Sequence, residues 1–291
     1  MHRPHRAAPQ LFGTAPVWVA ALAAAAFIGM DALVKALANR YGVVQLTWFR
    51  FAGGAVFAVA IWAFWRTPMP GLAQWRMHLL RAVLLLLTLV LYFAALARLE
   101  LAQAVAMGYT APIFTSLLAM AWLHERPPAA IWAALALGML GALVALWPAM
   151  RGSGGLHLVG LLLAGCSALT FAFVMVLTRK QAQHDALPTF LLLQNLIPMA
   201  LLGVPVMVQW TPLHDDDLGF VVAIGALATV GLGAITWSLR HMEASRLAPV
   251  EYTGFIWAAA VGYLAFGEVP STTTTASAAL IICGCLLLLR R

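Results

Sequence analysis

Four charged side chains interrupt long apolar runs of this chain: Asp31, Lys35, Arg50 and Glu251. A charge at the centre of a bilayer-spanning helix costs about 2.5–3.5 kcal/mol on insertion scales, so each needs a partner, a wet cavity or a route to the surface. Asp31 and Lys35 stand four residues apart and share a helix face. Either they pair, with Lys35 free to snorkel outward, or they contact a solute or a gate. Arg50 lies on the order of 12 Å inside its run. It reads as a lock on backbone carbonyls or as a cation for a solute carboxylate. Glu251 follows Pro249. It holds a solute ammonium, carries a proton, or pairs with Arg240 or Arg246 near the inner surface.

Two prolines accompany these charges. Pro112 and Pro249 remove backbone hydrogen bonds and bend their helices, and carbonyls freed at such bends line cavities. Tyr109, Tyr252 and Trp257 lie close to them in sequence. Trp48, Tyr92, Phe171, Phe173, Trp237, Gln194 and Asn195 are further candidates. Helix packing is the default account of any one of these rings. Together, rings and a few polar groups would suit an amphipathic amino acid better than a sugar or an inorganic ion.

The elements that must carry these residues follow from composition. Of 291 residues, 63% are hydrophobic and only 9% charged, against roughly 25% charged in a soluble domain. The surrounding medium must be lipid. Runs such as "AVLLLLTLVLYFAALA" do not alternate as barrel strands would, so the expected fold is all-α. A crossing needs about 20 apolar residues, which predicts ten spans: 15–38, 43–65, 77–97, 101–123, 128–149, 157–179, 187–210, 218–239, 245–267 and 271–289. The first run follows "MHRPHR" as a signal peptide would, but its length and the missing small-residue cleavage site favour a retained span.

Orientation follows from Lys and Arg. With the N-terminus inside, the outer joints hold only Arg40, Arg98 and Arg151, against twelve basic residues in the inner joints and tails, Arg76 and Arg81 among them. Both termini are therefore expected in the cytoplasm. The net charge of +7 is explained by this asymmetry and not by nucleic acid. Trp62, Trp65, Trp75, Trp147 and Trp210 fall at span ends, as an interfacial belt would place them.

"GYTAPIFTSLLAMAWLHERP" (108–127) matches "EYTGFIWAAAVGYLAFGEVP" (251–270) at a shift of 143 residues. Tyr109 meets Tyr252, Thr110 meets Thr253, Glu125 meets Glu268 and Gly141 meets Gly284. The chain thus divides into a five-span repeat at 1–150 and a second at 151–291. Five is odd, so the second copy crosses the membrane in the opposite sense. Such inverted repeats belong to secondary transporters, which hold a solute near the midplane between the halves. Glu251 has Gly108 as its counterpart, so this acid belongs to one half only. Glu125 and Glu268, at helix ends, are expected to favour the N-terminus of the helix that follows each.

"LTWFRFAGGAVFA" (46–58), "APIFTSLLAMAWLHERPPAAIWAALALGMLGALVAL" (111–146) and "APVEYTGFIWAAAVGYLAFGEVP" (248–270) resemble the EamA type of the drug/metabolite transporter superfamily. The resemblance implies ten helices in an inverted 5+5 repeat, a multi-pass protein of the bacterial inner membrane, and export of small metabolites or drugs. Its layout is similar to that of bacterial amino-acid exporters, those for aromatic amino acids in particular. One departure is Val269, which stands where the first copy has Arg126.

Other classes fare worse. "LHERPP" has one His-Glu pair but no second histidine, so it is no zinc-protease motif. The "DDD" of 215–217 reads as a solvated outer joint. No nucleophile–base pair and no ATP-binding loop stand out, so an enzyme is not expected and any driving energy comes from gradients. The three cysteines, all in apolar runs, fit neither zinc nor a disulfide set. No cofactor or metal is expected, and the expected partners are a small solute and lipid. The alternative is a facilitative permease or channel working toward uptake.

Overall fold

The computed structural model describes residues 14–96, 98, 107–150, 158–266 and 272–289. Among them there is helix and no strand. The elements are α1 (Ala15–Leu37), α2 (Val43–Trp65), α3 (Leu72–Leu96), α4 (Ala111–Leu123), α5 (Ala129–Met150), α6 (Leu158–Ala182), α7 (Leu187–Val208), α8 (Leu218–His241), the short α9 (Ala244–Leu247), α10 (Thr253–Phe266) and α11 (Thr272–Leu289). Tight 3-10 turns occupy Asp215–Asp217 and Ala248–Tyr252. Six apolar stretches are long enough to cross a membrane among the described residues, within α1, α2, α3, α6, α7 and at Asp215–His241. Shorter apolar helices complete the set.

Large apolar side chains point outward along these helices, including Leu22, Val56, Phe64, Val90, Leu162, Val204, Val230 and Leu264. A surface of this kind is a penalty in water and the natural boundary with lipid tails. The interior is built from small residues that bring backbones close. A Cβ on Gly225 would fall 2.3 Å from the backbone of Gly53, so α2 and α8 touch main chain to main chain. Helices in lipid associate by this packing, since lipid is as apolar as leucine.

Two expected spans are not single helices. The run 245–267 is α9, a 3-10 turn and α10 in succession, and Pro249 sits in the turn. The run 101–123 is described from 107, where a turn at Tyr109 and Thr110 precedes α4 and its Pro112. The proline that would bend a continuous helix instead sits at the start of a new segment, where its missing N–H costs nothing. Residues 101–106 of that run, and Glu268 and Val269, lie outside the described residues.

The packing pairs α1 with α8, α3 with α6, α2 with both α7 and α8, and α5 with α11; α4 lies on α6 and α10 on α1. Two sets of polar ties close the ends. At one end, Gln45 exchanges hydrogen bonds with the backbone of Thr211 (2.6 and 2.9 Å). Beside it Asp217 accepts from Arg40 (2.6 Å) and from the buried Tyr41 (2.8 Å), and burial pushes the Tyr41 phenol above its usual range. At the other end, Thr189 bonds the hydroxyl of Thr67 (2.7 Å) and the carbonyl of Pro68 (3.0 Å).

Arg81, expected among the exposed basic residues of a joint, is buried at 1% exposure in α3. Its guanidinium lies 3.9 Å over the ring of Phe190 on α7 and 3.2 Å from His78 Nδ1. His78 Nε2 is 3.0 Å from Asp185 Oδ2. A buried charge is tolerated when it is paired and stacked in this way.

Candidate functional site

The broken run 244–266 sets Glu251 in the wall between two cavities. The first, of about 260 Å3, is lined by Phe27, Arg50, Phe171, Gln194, Val250 and Glu251, among others, drawn from helices of both halves of the chain. The second, of about 320 Å3, is lined by Thr88, Tyr92, Tyr109, Pro112, Phe171 and Glu251 among others. Phe171 and Glu251 belong to both. The second volume falls at the low end of the range of small-molecule pockets and the first just below it.

Glu251 Oε1 has no hydrogen-bond partner among the described residues. The pairing with Arg246 that its position allowed is absent, because Arg246 binds Glu243 at 2.9 Å. Arg50 faces aromatic rings, 5.8 Å from the centroid of Phe27 and 5.6 Å from that of Phe51. Asp31 is exposed on α1 and acts on Arg50 electrostatically from beyond ion-pair distance. The side chain of Lys35 lies outside the described residues, and with it the expected Asp31–Lys35 pair.

Backbone polarity adds to the lining. Pro198 lies inside α7, four residues after Gln194, so the carbonyl of Gln194 loses its helical donor. Tyr252 closes the turn, is buried, and donates to the carbonyl of Tyr109 at 3.1 Å. The two rings lie 5.7 Å apart.

The structure thus gathers Arg50, Tyr92, Tyr109, Pro112, Phe171, Gln194 and Glu251 around adjoining cavities, with Tyr252 and Pro249 forming the turn that holds Glu251. The remaining candidates stand elsewhere. Trp48 meets Trp210 edge-on at 5.9 Å, near the Gln45–Thr211 tie. Asn195 is buried and bonds back to the carbonyl of Leu191 (2.8 Å) while packing on Gly54. Trp237 stacks on His241 at 4.3 Å, at the far end of α8. Trp257 is half-buried on α10 and lines neither cavity.

Glu125 is a structural acid, though not for the helix that follows it. Its carboxylate accepts from the backbone N–H of Ala244 (3.0 Å) and of Ser245 (2.9 Å) and from the Ser245 hydroxyl (2.7 Å). It therefore caps α9, more than a hundred residues away. Arg179 lies 3.7 Å from it and donates to the carbonyl of Leu239. Spacing alone favoured the adjacent helix; the tertiary contact outcompetes it. Among the described residues, no group of three or more His, Cys, Asp or Glu could hold a metal ion.

Comparison with known proteins places this arrangement. The EamA-like transporter family matches the chain twice, over residues 14–147 and 158–290. The pseudopaline exporter CntI of Pseudomonas aeruginosa is 30% identical over 280 residues, covering 94% of this chain and 95% of that protein. The S-adenosylmethionine uptake transporter of Rickettsia prowazekii is 22% identical over 253 residues, covering 87% and 84%. A solved crystal structure at 20% identity superposes with a TM-score of 0.75, covering 94% of this chain and 95% of that one, and shares the fold.

Proposed function

The chain belongs to the EamA-like transporter family, and from that premise we propose that it is a secondary exporter of small zwitterionic metabolites, amino acids with an aromatic or otherwise amphipathic side chain foremost. It works by alternating access in the bacterial inner membrane. The two halves, 1–150 and 151–291, form an inverted 5+5 repeat of ten spans. In support, α1 packs on α8 as α3 packs on α6, and these pairs exchange under the repeat. The carrying observation for the solute class is that a carboxylate with an unpartnered oxygen, Glu251, and a guanidinium, Arg50, line one cavity together with Phe27 and Phe171. An ammonium and a carboxylate on one small apolar molecule would satisfy both charges. In this reading Tyr92, Tyr109 and Gln194 shape the cavity, and Asp31 biases Arg50.

The test is flux of labelled L-tryptophan and L-phenylalanine in proteoliposomes. Wild-type protein is expected to move them, and Glu251→Gln or Arg50→Gln to slow flux at least tenfold. Wild-type-like flux in both variants would remove the site. Absence of flux in the wild type, with S-adenosylmethionine moved instead, would favour the chemistry for which the Rickettsia relative is named.

A further inference from the structure

A third cavity, of about 320 Å3, opens where α6, α7 and α8 end together, lined by Ala182, Asp185, Leu187, Thr236, Trp237, Arg240 and His241. It is separate from the Glu251 cavities, and the family-level reading does not use it. Part of its polar lining is buried yet incompletely bonded. Asp185 is 6% exposed and Thr236 is 2% exposed. Among the described residues, Asp185 Oδ2 and Thr236 Oγ1 have no hydrogen-bond partner. Asp185 Oδ2 meets His78 Nε2 at 3.0 Å, which occupies one direction at the carboxylate and leaves its other lone pairs to accept. Gln181, one residue before the lining Ala182, is 5% exposed and has neither amide atom paired.

Buried polar atoms left unpaired cost on the order of 1–3 kcal/mol each, and proteins seldom keep several side by side. Such a group beside an open cavity marks a place where a polar guest completes the bonds. The lining supplies one anion, Asp185, and one fixed cation, Arg240, with the Trp237–His241 stack and Leu187 as an apolar wall.

We propose that this cavity is a second binding site for the same zwitterionic amino acid, filled from the face at which α6 ends. Asp185 and Thr236 take the ammonium, Arg240 takes the carboxylate, and Trp237 and Leu187 take the side chain. By the basic-residue asymmetry that face is cytoplasmic, so the site loads solute before it reaches Glu251. At the same end of the bundle, Arg179 meets Glu125 and Gln183 donates to the carbonyls of Leu239 and Arg240 (3.3 and 3.0 Å), a set of polar ties across α6 and α8. The inference rests on the amino-acid reading above.

Equilibrium binding of radiolabelled L-tryptophan to the full-length protein in detergent tests it. Wild-type protein is expected to saturate at two per chain. The double variant Thr236→Val with Arg240→Gln is expected to saturate at one, as is Glu251→Gln, and the combination at none. Thr236→Val is nearly isosteric and Arg240 is exposed, so folding is not at stake. Leu187→Phe, which fills the cavity and spares its charges, is expected to give the same loss as the double variant. Saturation of the wild type at one, or at two in both inner variants, overturns the second site and leaves the Glu251 site standing. No tryptophan binding in the wild type would instead defeat the amino-acid reading, and this inference with it.

Discussion

Tyr252 donates its hydroxyl to the carbonyl of Tyr109, and the two rings lie tilted at 33° with centroids 5.7 Å apart. These residues hold the same place in the two like-sequence stretches of the chain, 143 residues apart. Residues related by a two-fold axis meet each other only where they lie beside that axis. The contact therefore marks the pseudo-dyad of the proposed repeat, at the breaks of both discontinuous runs and next to Glu251.

This contact is held from behind by Gly138. A Cβ there would fall 2.3 Å from the Tyr252 ring, and the ring, tied at its hydroxyl, has no room to retreat. Gly138→Ala is expected to destabilise the protein by about 1–3 kcal/mol and to slow transport by displacing the turn that carries Glu251. Tyr252→Phe removes one hydrogen bond and is expected to cost only about 1 kcal/mol. Thermal melts in detergent, followed by flux, check the order. A Tyr252→Phe variant less stable than Gly138→Ala would mean that the hydrogen bond and not the packing holds the turn.

Glu125 satisfies two backbone N–H groups at the start of α9. Glu125→Ala leaves both donors buried and unpaired, at about 1–3 kcal/mol, whereas Glu125→Gln keeps an acceptor. We expect Glu125→Ala to melt well below wild type and Glu125→Gln to fall between. Arg179, left facing Leu239 alone, makes the polar ties of that end weaker in both. Equal melting of both variants with wild type would show that the cap contributes nothing.

A close backbone approach, Gly53 against Gly225, ties α2 to α8 across the two halves. A methyl group on Gly225 meets main chain, which cannot rotate away. Gly225→Ala is expected to abolish a monodisperse folded species, while Gly203→Ala, where a Cβ meets nothing within 4 Å, is expected to be neutral. Size-exclusion profiles after solubilisation distinguish them.

Much of this was legible in the chain. Apolar run length located nearly every described helix, and the mid-run charges Arg50 and Glu251 led to the cavities. The helix breaks were not legible as breaks, because proline marks a kink and a new N-terminus alike; only tertiary packing decides. The cluster of His78, Arg81 and Asp185 was hidden for another reason. Its members sit near span ends, where a basic residue ordinarily faces water, and Asp185 is a hundred residues from its partners. The end ties were hidden by chemistry. Gln45 with Thr211 and Thr189 with Thr67 occupy matching places, each partner 144 residues from its counterpart. Glutamine and threonine do not align by identity, although each side chain ties its helix to the opposite joint, Gln45 through the backbone of Thr211 and Thr189 through Thr67 and Pro68. Trp48, Asn195 and Trp257 show the converse: their residue types suit a solute site, and they line neither Glu251 cavity.

Aromatic candidates divide on position, which makes a sharp comparison. Phe171 lines both Glu251 cavities, and Trp257, on α10, lines neither. Phe171→Ala is expected to lower tryptophan flux at least fivefold, with Trp257→Ala within twofold of wild type. The reverse order would move the solute path from the α6 side of Glu251 to the α10 side.

The orientation argument is the one part that rests on charge counting alone, and it has a direct check. Asn39 and His184 are exposed in joints at opposite ends of the bundle, the first beside the Arg40–Asp217 tie and the second beside Asp185. With Cys166, Cys283 and Cys285 replaced by alanine, single cysteines at 39 and 184 would be probed in intact cells with a membrane-impermeant maleimide. Cysteine at 39 is expected to label and cysteine at 184 only after permeabilisation. Twelve basic residues against three is a strong bias, because each Lys or Arg near a span end resists translocation whereas the acidic joint at 215–217 weighs little. Labelling of 184 alone in intact cells would invert the protein in the membrane. The third cavity would then face the periplasm and receive solute leaving the Glu251 site, not solute approaching it.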